Sequence, residues 1–357
     1  MKRKIAILYV GKPRPPGGCE IYRGNMPVHF LGQYGNWETA WLYYVEVQRS
    51  VGQRGIAAML SFFKQFSLLV FPRFYANSLH TLDQIADLFR VIHRLGVKIV
   101  YEVDDDFTNR YREVLPKDAS AIEVAKLADA ITVSTPHLGR LMEKETGKPC
   151  YVLPNMLDPN LWDVPLPLKK DGLIRIGLTG SQTHYGDWKV LETVMPRILA
   201  RHDQVRLILG AFHPDYLSNL PHTDYLPALP YAEYAHTVKQ FDIVLAPLDP
   251  QDGFNLSKSE IKTTEGMGAC RTLNGTRGGA AVIATDHPVY RRGVTPRTGI
   301  LVPHEPDAWF EAIDHLVTDS GARKRYQLEG YRWAWKNRNI ARGWTLWDKA
   351  YRKIIAS

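Results

Sequence analysis

Asp242-Ile243-Val244-Leu245-Ala246-Pro247-Leu248, followed closely by Phe254-Asn255-Leu256-Ser257-Lys258-Ser259-Glu260-Ile261-Lys262-Thr263-Thr264-Glu265, is the stretch from which the rest of the chain is read. An unbroken aliphatic run between polar neighbours reads as a strand buried on both faces, as strands of parallel sheets are. A polar loop and a helical run follow it. On that helix Lys258, Lys262 and Glu265 recur at i, i+4 and i+7, which places two cations and a carboxylate on one face.

Working outward, the same strand-then-helix alternation recurs on both sides. The second half repeats it at Ile174 to Leu178, Val205 to Leu209, Ala281 to Ala284 and Gly299 to Val302, and the first half at Lys4 to Val10, Ser67 to Phe71, Val97 to Val103, Ala130 to Ser134 and Cys150 to Leu153. This predicts an α/β protein with two parallel sheets. Between the halves lies Val164-Pro165-Leu166-Pro167-Leu168-Lys169-Lys170-Asp171-Gly172, whose alternating prolines forbid helix and read as a linker. The expected domains are therefore 1–168, 169–306 and a helical segment, 307–357, whose last helices pack back on the first domain. A chain of 357 residues fits two domains of roughly 150 residues better than one core.

Composition narrows the class. Apolar residues make up 45% and charged residues 23%, and no uncharged apolar run reaches the roughly 18 residues that span a bilayer. Met1-Lys2-Arg3-Lys4 begins like a signal peptide, but the apolar run after it stops at Gly11-Lys12-Pro13 without a cleavage site, so it reads as a first strand. Three scattered cysteines, Cys19, Cys150 and Cys270, suit neither a disulfide framework nor a zinc site, and a cytoplasmic protein is expected. Residues 323–353 hold ten cations against two carboxylates, which equals the whole net charge of +8. Trp333, Trp335, Trp344 and Trp347 interleave with them, a combination that suits nucleic acid, an anionic membrane surface or inter-domain packing.

Four constellations carry candidate chemistry. Gly11 to Arg23 includes Gly17-Gly18, where bare backbone N–H groups can approach a phosphate; a plain turn explains the same residues. Tyr101-Glu102-Val103-Asp104-Asp105-Asp106-Phe107 runs a strand into three carboxylates, whose mutual repulsion raises their pKa values and suits a general base or a grip on acceptor hydroxyls. Ile174 to Tyr185 places Gly180-Ser181 and His184 at a strand end, with a helix start suited to a diphosphate. In the opening stretch, the lysines can neutralise a departing diphosphate and Glu265 can accept both hydroxyls of a ribose.

On these residues the second half resembles the donor domain of GT-B fold glycosyltransferases, in particular the retaining group called family 4. The resemblance takes in Asp242 to Leu248, Lys258-Ser259, Lys262, Glu265, Ala281 to Thr285 and Pro288-Val289-Tyr290; in the first half it takes in Gly17-Gly18, Arg23, Ala128 to Ser134 and Pro154-Asn155. It implies two Rossmann-like domains facing each other across a cleft. It further implies that Glu265 holds the donor ribose, Lys258 neighbours the diphosphate, Gly18 allows close approach, Gly180 and Ser181 line the same cleft, and no metal or cofactor is needed beyond the nucleotide sugar. Where many relatives carry a second glutamate this chain has Ser257, so the sugar contact is expected from Asn255, Ser257 or a neighbour. The stretch Cys270 to Gly279 is longer than usual and reads equally as a surface loop or as a carrier of Arg271 or Arg277 to the cleft.

The expected activity is hexosyl transfer from a nucleotide diphosphate sugar. Retention follows from the resemblance; inversion would make Asp104 or Asp105 the base. Arg23, Asp104 and Asp106 are expected at the acceptor in either case. The acceptor is read as a cell-envelope glycan or lipid-linked sugar, with peripheral contact to anionic membrane and no obligate protein partner. The alternatives are hydroxymethylated pyrimidines in DNA, as in bacteriophage enzymes, or a non-catalytic nucleic-acid-binding role on the same fold. A nucleotide-sugar epimerase or dehydrogenase is disfavoured because no Gly-x-Gly-x-x-Gly follows the first strand.

Overall fold

The computed structural model describes residues 3–9, 17–76, 80–108, 120–167 and 171–357. The loop from Val10 to Pro16 and the expected boundary residue Leu168 lie outside the described residues. Two compact units form: residues up to 155 together with 340–357, and residues 156–339.

Unit 1 holds six parallel strands, β1 (Arg3–Tyr9), β2 (Trp37–Tyr43), β3 (Leu68–Pro72), β4 (Lys98–Val103), β5 (Ala130–Val133) and β6 (Cys150–Val152), in the order β2-β1-β3-β4-β5-β6. The interior strands are apolar on both faces because helices cover both. One such helix, Leu82–Arg94, starts at a Thr81–Gln84 capping box and turns Ile85, Phe89 and Ile92 inward at i, i+4 and i+7. Another, Pro136–Thr146, is capped by the Thr135 hydroxyl and stops at Gly147, whose φ of 68° lies in the left-handed region. The C-terminal helix Thr345–Ala356 packs back on this unit as expected: Trp347 and Tyr351 are fully buried, and Trp37 donates its indole N–H to Asp348 at 2.7 Å.

Unit 2 has a second parallel sheet of β8 (Ile174–Thr179), β9 (Val205–Gly210), β10 (Thr223–Leu226), β11 (Ile243–Ala246), β14 (Ala281–Thr285) and β15 (Ile300–Val302). Its order is β10-β9-β8-β11-β14-β15. Counted within the unit this is 3-2-1-4-5-6, the dinucleotide-fold order, in which the chain changes direction between β8 and β11 and leaves a crevice at their carboxyl ends. Gly177 on β8 is required by packing, since a Cβ there would sit 2.1 Å from a ring carbon of Phe241.

Four features differ from the sequence expectations. The division between units falls at 155/156, because Met156, Leu157 and Trp162 are buried in unit 2, where Trp162 donates to the Tyr231 hydroxyl at 2.8 Å. The proline-rich stretch is no free linker: Leu166–Pro167 forms a short strand, β7, parallel to β12 (Arg271–Leu273). The stretch 270–279 is a hairpin of β12 and β13 (Thr276–Gly278), turning at Asn274 and Gly275 with φ of 50° and 82°. The helices Pro306–Thr318 and Ser320–Asn337 belong to unit 2, so only the chain from Ile340 returns to unit 1.

Candidate functional site

In unit 2 the sequence-predicted residues gather at the carboxyl ends of β8 and β11. The helix start expected after Gly180-Ser181 is absent: two 3-10 turns, Gln182–His184 and Asp187–Leu191, follow β8, and the α-helix begins only at Val194. Local bonds compete with helix here. The Ser181 and Thr183 hydroxyls meet at 2.8 Å and His184 Nδ1 meets Asp187 Oδ2 at 2.7 Å. No helix dipole therefore serves Gly180 and Ser181.

Asp187 is the hub. Only 3% exposed, it also accepts on Oδ1 from the Asp249 backbone N–H at 2.8 Å and the Asn255 amide at 2.7 Å. It thereby joins the segment after β8 to the segment after β11. Burial alone would raise its pKa, but these donors outweigh burial and hold it below the usual carboxylate range. His184 is shifted down, first by burial and then by the charges of Lys258 and Lys262, against the pull of Asp187. Its ring stacks on Trp188, with centroids 6.3 Å apart and planes 11° off parallel.

Lys258 is not on the helix. The turn Gly253–Ser257 ends in extended backbone at Lys258 (φ −59°, ψ 155°), and the helix runs from Ile261 to Gly268. The i, i+4, i+7 face thus holds only for Lys262 and Glu265, whose charged groups lie 4.0 Å apart. Lys258 still joins the group, since both lysines act electrostatically on His184. Lys258 Nζ lies 4.4 Å from the Phe254 ring centroid and Lys262 Nζ 5.6 Å from that of Tyr234. Glu265, 3% exposed, accepts from the Tyr234 hydroxyl at 2.6 Å, and that hydroxyl lies 3.1 Å from Thr179 Oγ1. Burial and the neighbouring Glu265 raise the Tyr234 pKa, so its proton stays in this bond. Asn255 and Ser257 are each 1% exposed, and the Asn255 amide is engaged by Asp187 and the Asp249 carbonyl. Asn255 therefore braces the site instead of presenting itself to a ligand.

Unit 1 carries the remaining predicted residues. Asp104 and Asp105, after β4, are clamped by Arg73, after β3: Nε to Asp104 and Nη2 to Asp105, each at 2.5 Å. Arg73 itself has φ 44°, uncommon for a residue with a side chain. Burial pushes Asp104 up, but the charge and hydrogen bond of Arg73 prevail and Asp104 lies below its ordinary value. For Asp104 this corrects the expectation of a pKa raised by mutual repulsion. Asp106, 1% exposed, turns inward and accepts from the Thr108 N–H and hydroxyl at 2.7 and 2.6 Å. Arg23, 2% exposed and within the π-helical turn Ile21–Asn25, is bonded to Glu102 at 2.7 Å, to the Leu153 carbonyl and to Asn155. Neither Asp106 nor Arg23 is presented to an acceptor. Burial pushes Glu102 up to about 7 even with Arg23 and Thr132 donating to it. Gly17 and Gly18 open the helical segment that contains Arg23; the Gly17 N–H donates to Glu20 at 2.7 Å, and a Cβ on Gly18 would meet nothing within 4 Å.

The tryptophans of the basic segment have partners within the protein, Trp347 buried and Trp333, Trp335 and Trp344 half-buried. Trp335 donates to the Gly268 carbonyl, Trp333 lies against Gly293 and under Arg338, Trp344 stacks on Tyr34, and Trp347 is fully buried. Several cations there have local acids: Arg332 with Glu329, Arg338 with Glu260 and Arg352 with Asp348. Arg271 is fully buried against Asp242, at the amino end of β11, because the hairpin turns it away from the carboxyl ends; Arg277 pairs with Asp163. No helix among the described residues is long and apolar enough to cross a membrane.

Sequence reasoning assigned no role to Asp187, Tyr234, Thr179 or Arg73. Asp187 lies three residues after His184, a spacing that signals a possible pair; the others are contributed by distant segments. Neither a protein-family model nor a curated relative matches the sequence. Among solved structures, the chain is similar to sucrose-phosphate synthase from Thermosynechococcus elongatus, with TM-score 0.66 and 14% identity over 99% of both chains. It is similar to HepE of Anabaena in complex with UDP and glucose, with TM-score 0.64 and 13% identity over 98% of this chain and 99% of that one. A third is UDP-GlcNAc 2-epimerase from Neisseria meningitidis bound to UDP-GlcNAc, with TM-score 0.53 and 10% identity over 98% and 100%. At these identities the likeness establishes the fold, a GT-B type chain of two parallel-sheet α/β domains.

Proposed function

We propose that the chain is a glycosyltransferase whose unit 2 binds a nucleoside diphosphate sugar. The observation that carries this reading is the meeting of Lys258, Lys262, His184 and Glu265 at the switch point of a dinucleotide-type sheet. The cations suit a diphosphate, and the buried carboxylate suits a ribose diol. Structures of this fold that hold UDP, UDP with glucose or UDP-GlcNAc support it by analogy. Transfer with retention is favoured, because a carboxylate held ionised and paired to Arg73 is a poor base, and retention needs no strong protein base. Asp104 and Asp105 then orient an acceptor hydroxyl. With Trp347 buried and Trp333, Trp335 and Trp344 half-buried against neighbouring side chains and backbone, the basic segment offers few free rings for stacking on nucleic acid, and we take a sugar-bearing acceptor, glycan or lipid-linked, over duplex DNA.

The test is nucleotide release from UDP-, GDP-, ADP- and dTDP-linked hexoses, first alone and then with lipid-linked sugars, glycans or hydroxymethylated DNA. Lys258→Ala and Glu265→Ala should each abolish release while circular dichroism stays that of the parent. Unchanged release by both variants removes the site assignment. Turnover confined to hydroxymethylated DNA replaces the acceptor class.

A further inference from the structure

We propose that binding of a nucleoside diphosphate to unit 2 is coupled to uptake of one proton by His184, with Asp187 as the positioning residue that holds the ring and serves as counter-ion. The inference rests on the donor reading above and adds a third cation to the site. Its basis is geometric. His184 Nδ1 is fixed to Asp187 Oδ2 at 2.7 Å, so Nε2, on the opposite edge of the ring, is the atom available to a ligand. Asp187 cannot turn away, because the Asp249 N–H and the Asn255 amide hold its other oxygen. Trp188 lies nearly parallel to the ring with centroids 6.3 Å apart, and a side chain at Gly180 would come within 3.0 Å of His184 Cδ2, so glycine there leaves room for this placement. A side chain fixed on three sides next to two lysines is built as a contact surface for an anion.

Charge explains why a proton should follow the ligand. The charged groups acting on the imidazole are Asp187 on its own segment, Lys258 from the turn after β11 and Lys262 from the helix Ile261–Gly268; Glu265 lies 4.0 Å from Lys262, and Asp187 also acts on His287, after β14, and on His304, after β15, where Asp249 acts as well. Within this group Lys258 and Lys262 are offset by Asp187 and Glu265, so a protonated imidazole adds the cation that a multiply anionic diphosphate would otherwise lack there. Without ligand, burial and the lysines keep the imidazole neutral. A bound diphosphate cancels the field of the lysines and adds its own attraction, and the pull of Asp187 then prevails. The proton comes from solvent, no covalent bond changes, and Nε2–H becomes a charge-assisted donor to a phosphate oxygen.

Calorimetric titration of the full chain with UDP, GDP, ADP and dTDP at pH 7.5, in buffers of different ionisation enthalpy, reads proton uptake directly. The nucleotide that binds most tightly should show an observed heat that varies with buffer, corresponding to between half and one proton taken up. Its affinity should fall by up to tenfold per pH unit above that pH. In His184→Gln the buffer dependence should vanish while weaker, pH-independent binding persists. Asp187→Asn should shift the pH dependence of affinity to lower pH. Binding with no buffer dependence in the parent chain, or undiminished uptake in His184→Gln, overturns the proposal while leaving the donor reading intact. No binding by any of the four nucleotides removes the donor reading and this inference with it.

Discussion

Replacing Arg73 with methionine tests whether the acidic cluster after β4 is a base or a clamped pair. The guanidinium meets Asp104 and Asp105 at 2.5 Å each, with Asp104 9% exposed and Arg73 33% exposed. Unit charges about 4 Å apart at an effective dielectric near 20 attract by about 4 kcal/mol. Solvent around Arg73 removes half of that or more, and about 2 kcal/mol is the expected loss for Arg73→Met at neutral pH. The pH dependence has a definite sign. In the parent, Asp104 is depressed below its ordinary value, so its stabilisation is present above about pH 4 and lost as pH falls through the folded value. Without Arg73, burial is opposed only by the charge of Arg23 and the hydrogen bond of Cys19, so the folded value moves up and the stabilisation at neutral pH shrinks. The stability gap between parent and variant is therefore widest at neutral pH, narrows in acid and closes only below about pH 4, as pH falls through the parent's depressed folded value. Urea midpoints followed by tryptophan fluorescence at pH 7.5 and 4.5 measure it. Arg73→Gly relieves the positive φ of 44° while removing the same charge, and should be about 1 kcal/mol more stable than Arg73→Met. Equal midpoints for parent and Arg73→Met at pH 7.5, or a gap that widens in acid, would refute the clamp.

Tyr234→Phe removes the hydroxyl that Glu265 accepts at 2.6 Å; a hydrogen bond to a charged group contributes about 1.5–3 kcal/mol, so calorimetry should find unit 2 melting roughly 4–8 °C lower. Asn255→Ala strips Asp187 of one donor and should cost about 1–3 kcal/mol in chemical denaturation, with the KM for the donor rising because His184 is less well held. Gly275→Ala strains a turn residue with φ 82° and should lose about 1 kcal/mol or more, with nucleotide release unchanged, since the hairpin seats Arg271 at the amino end of β11 away from the site.

The interior strands of both sheets were legible because each is buried on both faces, and such a strand leaves an unbroken apolar run. Val244 and Ile283 have no exposed side to encode. The edges left no such mark. β2, Trp37–Tyr43, mixes Glu38 and Thr39 with aromatic residues because much of it is partly exposed, and β10 shows Asp224 and Tyr225 to solvent. The hairpin at 271–278 had a local signal, Asn274-Gly275, but flanks of three residues are too short for a strand pattern to form.

The candidate site divides along the same line between local and distant information. Lys262 and Glu265 are brought together by helical spacing, and that much is written in the order of residues. The rest of the i, i+4, i+7 pattern is a coincidence of spacing, since the backbone is extended at Lys258 and the helix begins only at Ile261; Lys258 reaches the group through the turn before it. Asp187 meets Asp249 and Asn255 from 62 and 68 residues away, and Arg73 meets Asp104 across two strands; contacts of that range leave no period in either segment. The sequence therefore located where charge collects but not what offsets it. Three consecutive aspartates read alone suggest raised pKa values, whereas an arginine from the neighbouring strand reverses the sign for Asp104. The chemistry open to each carboxylate follows from its partner, so Asp104, paired to a cation, serves as a fixed acceptor of hydrogen bonds, and Asp187, paired to an imidazole, can hold a proton in place beside it.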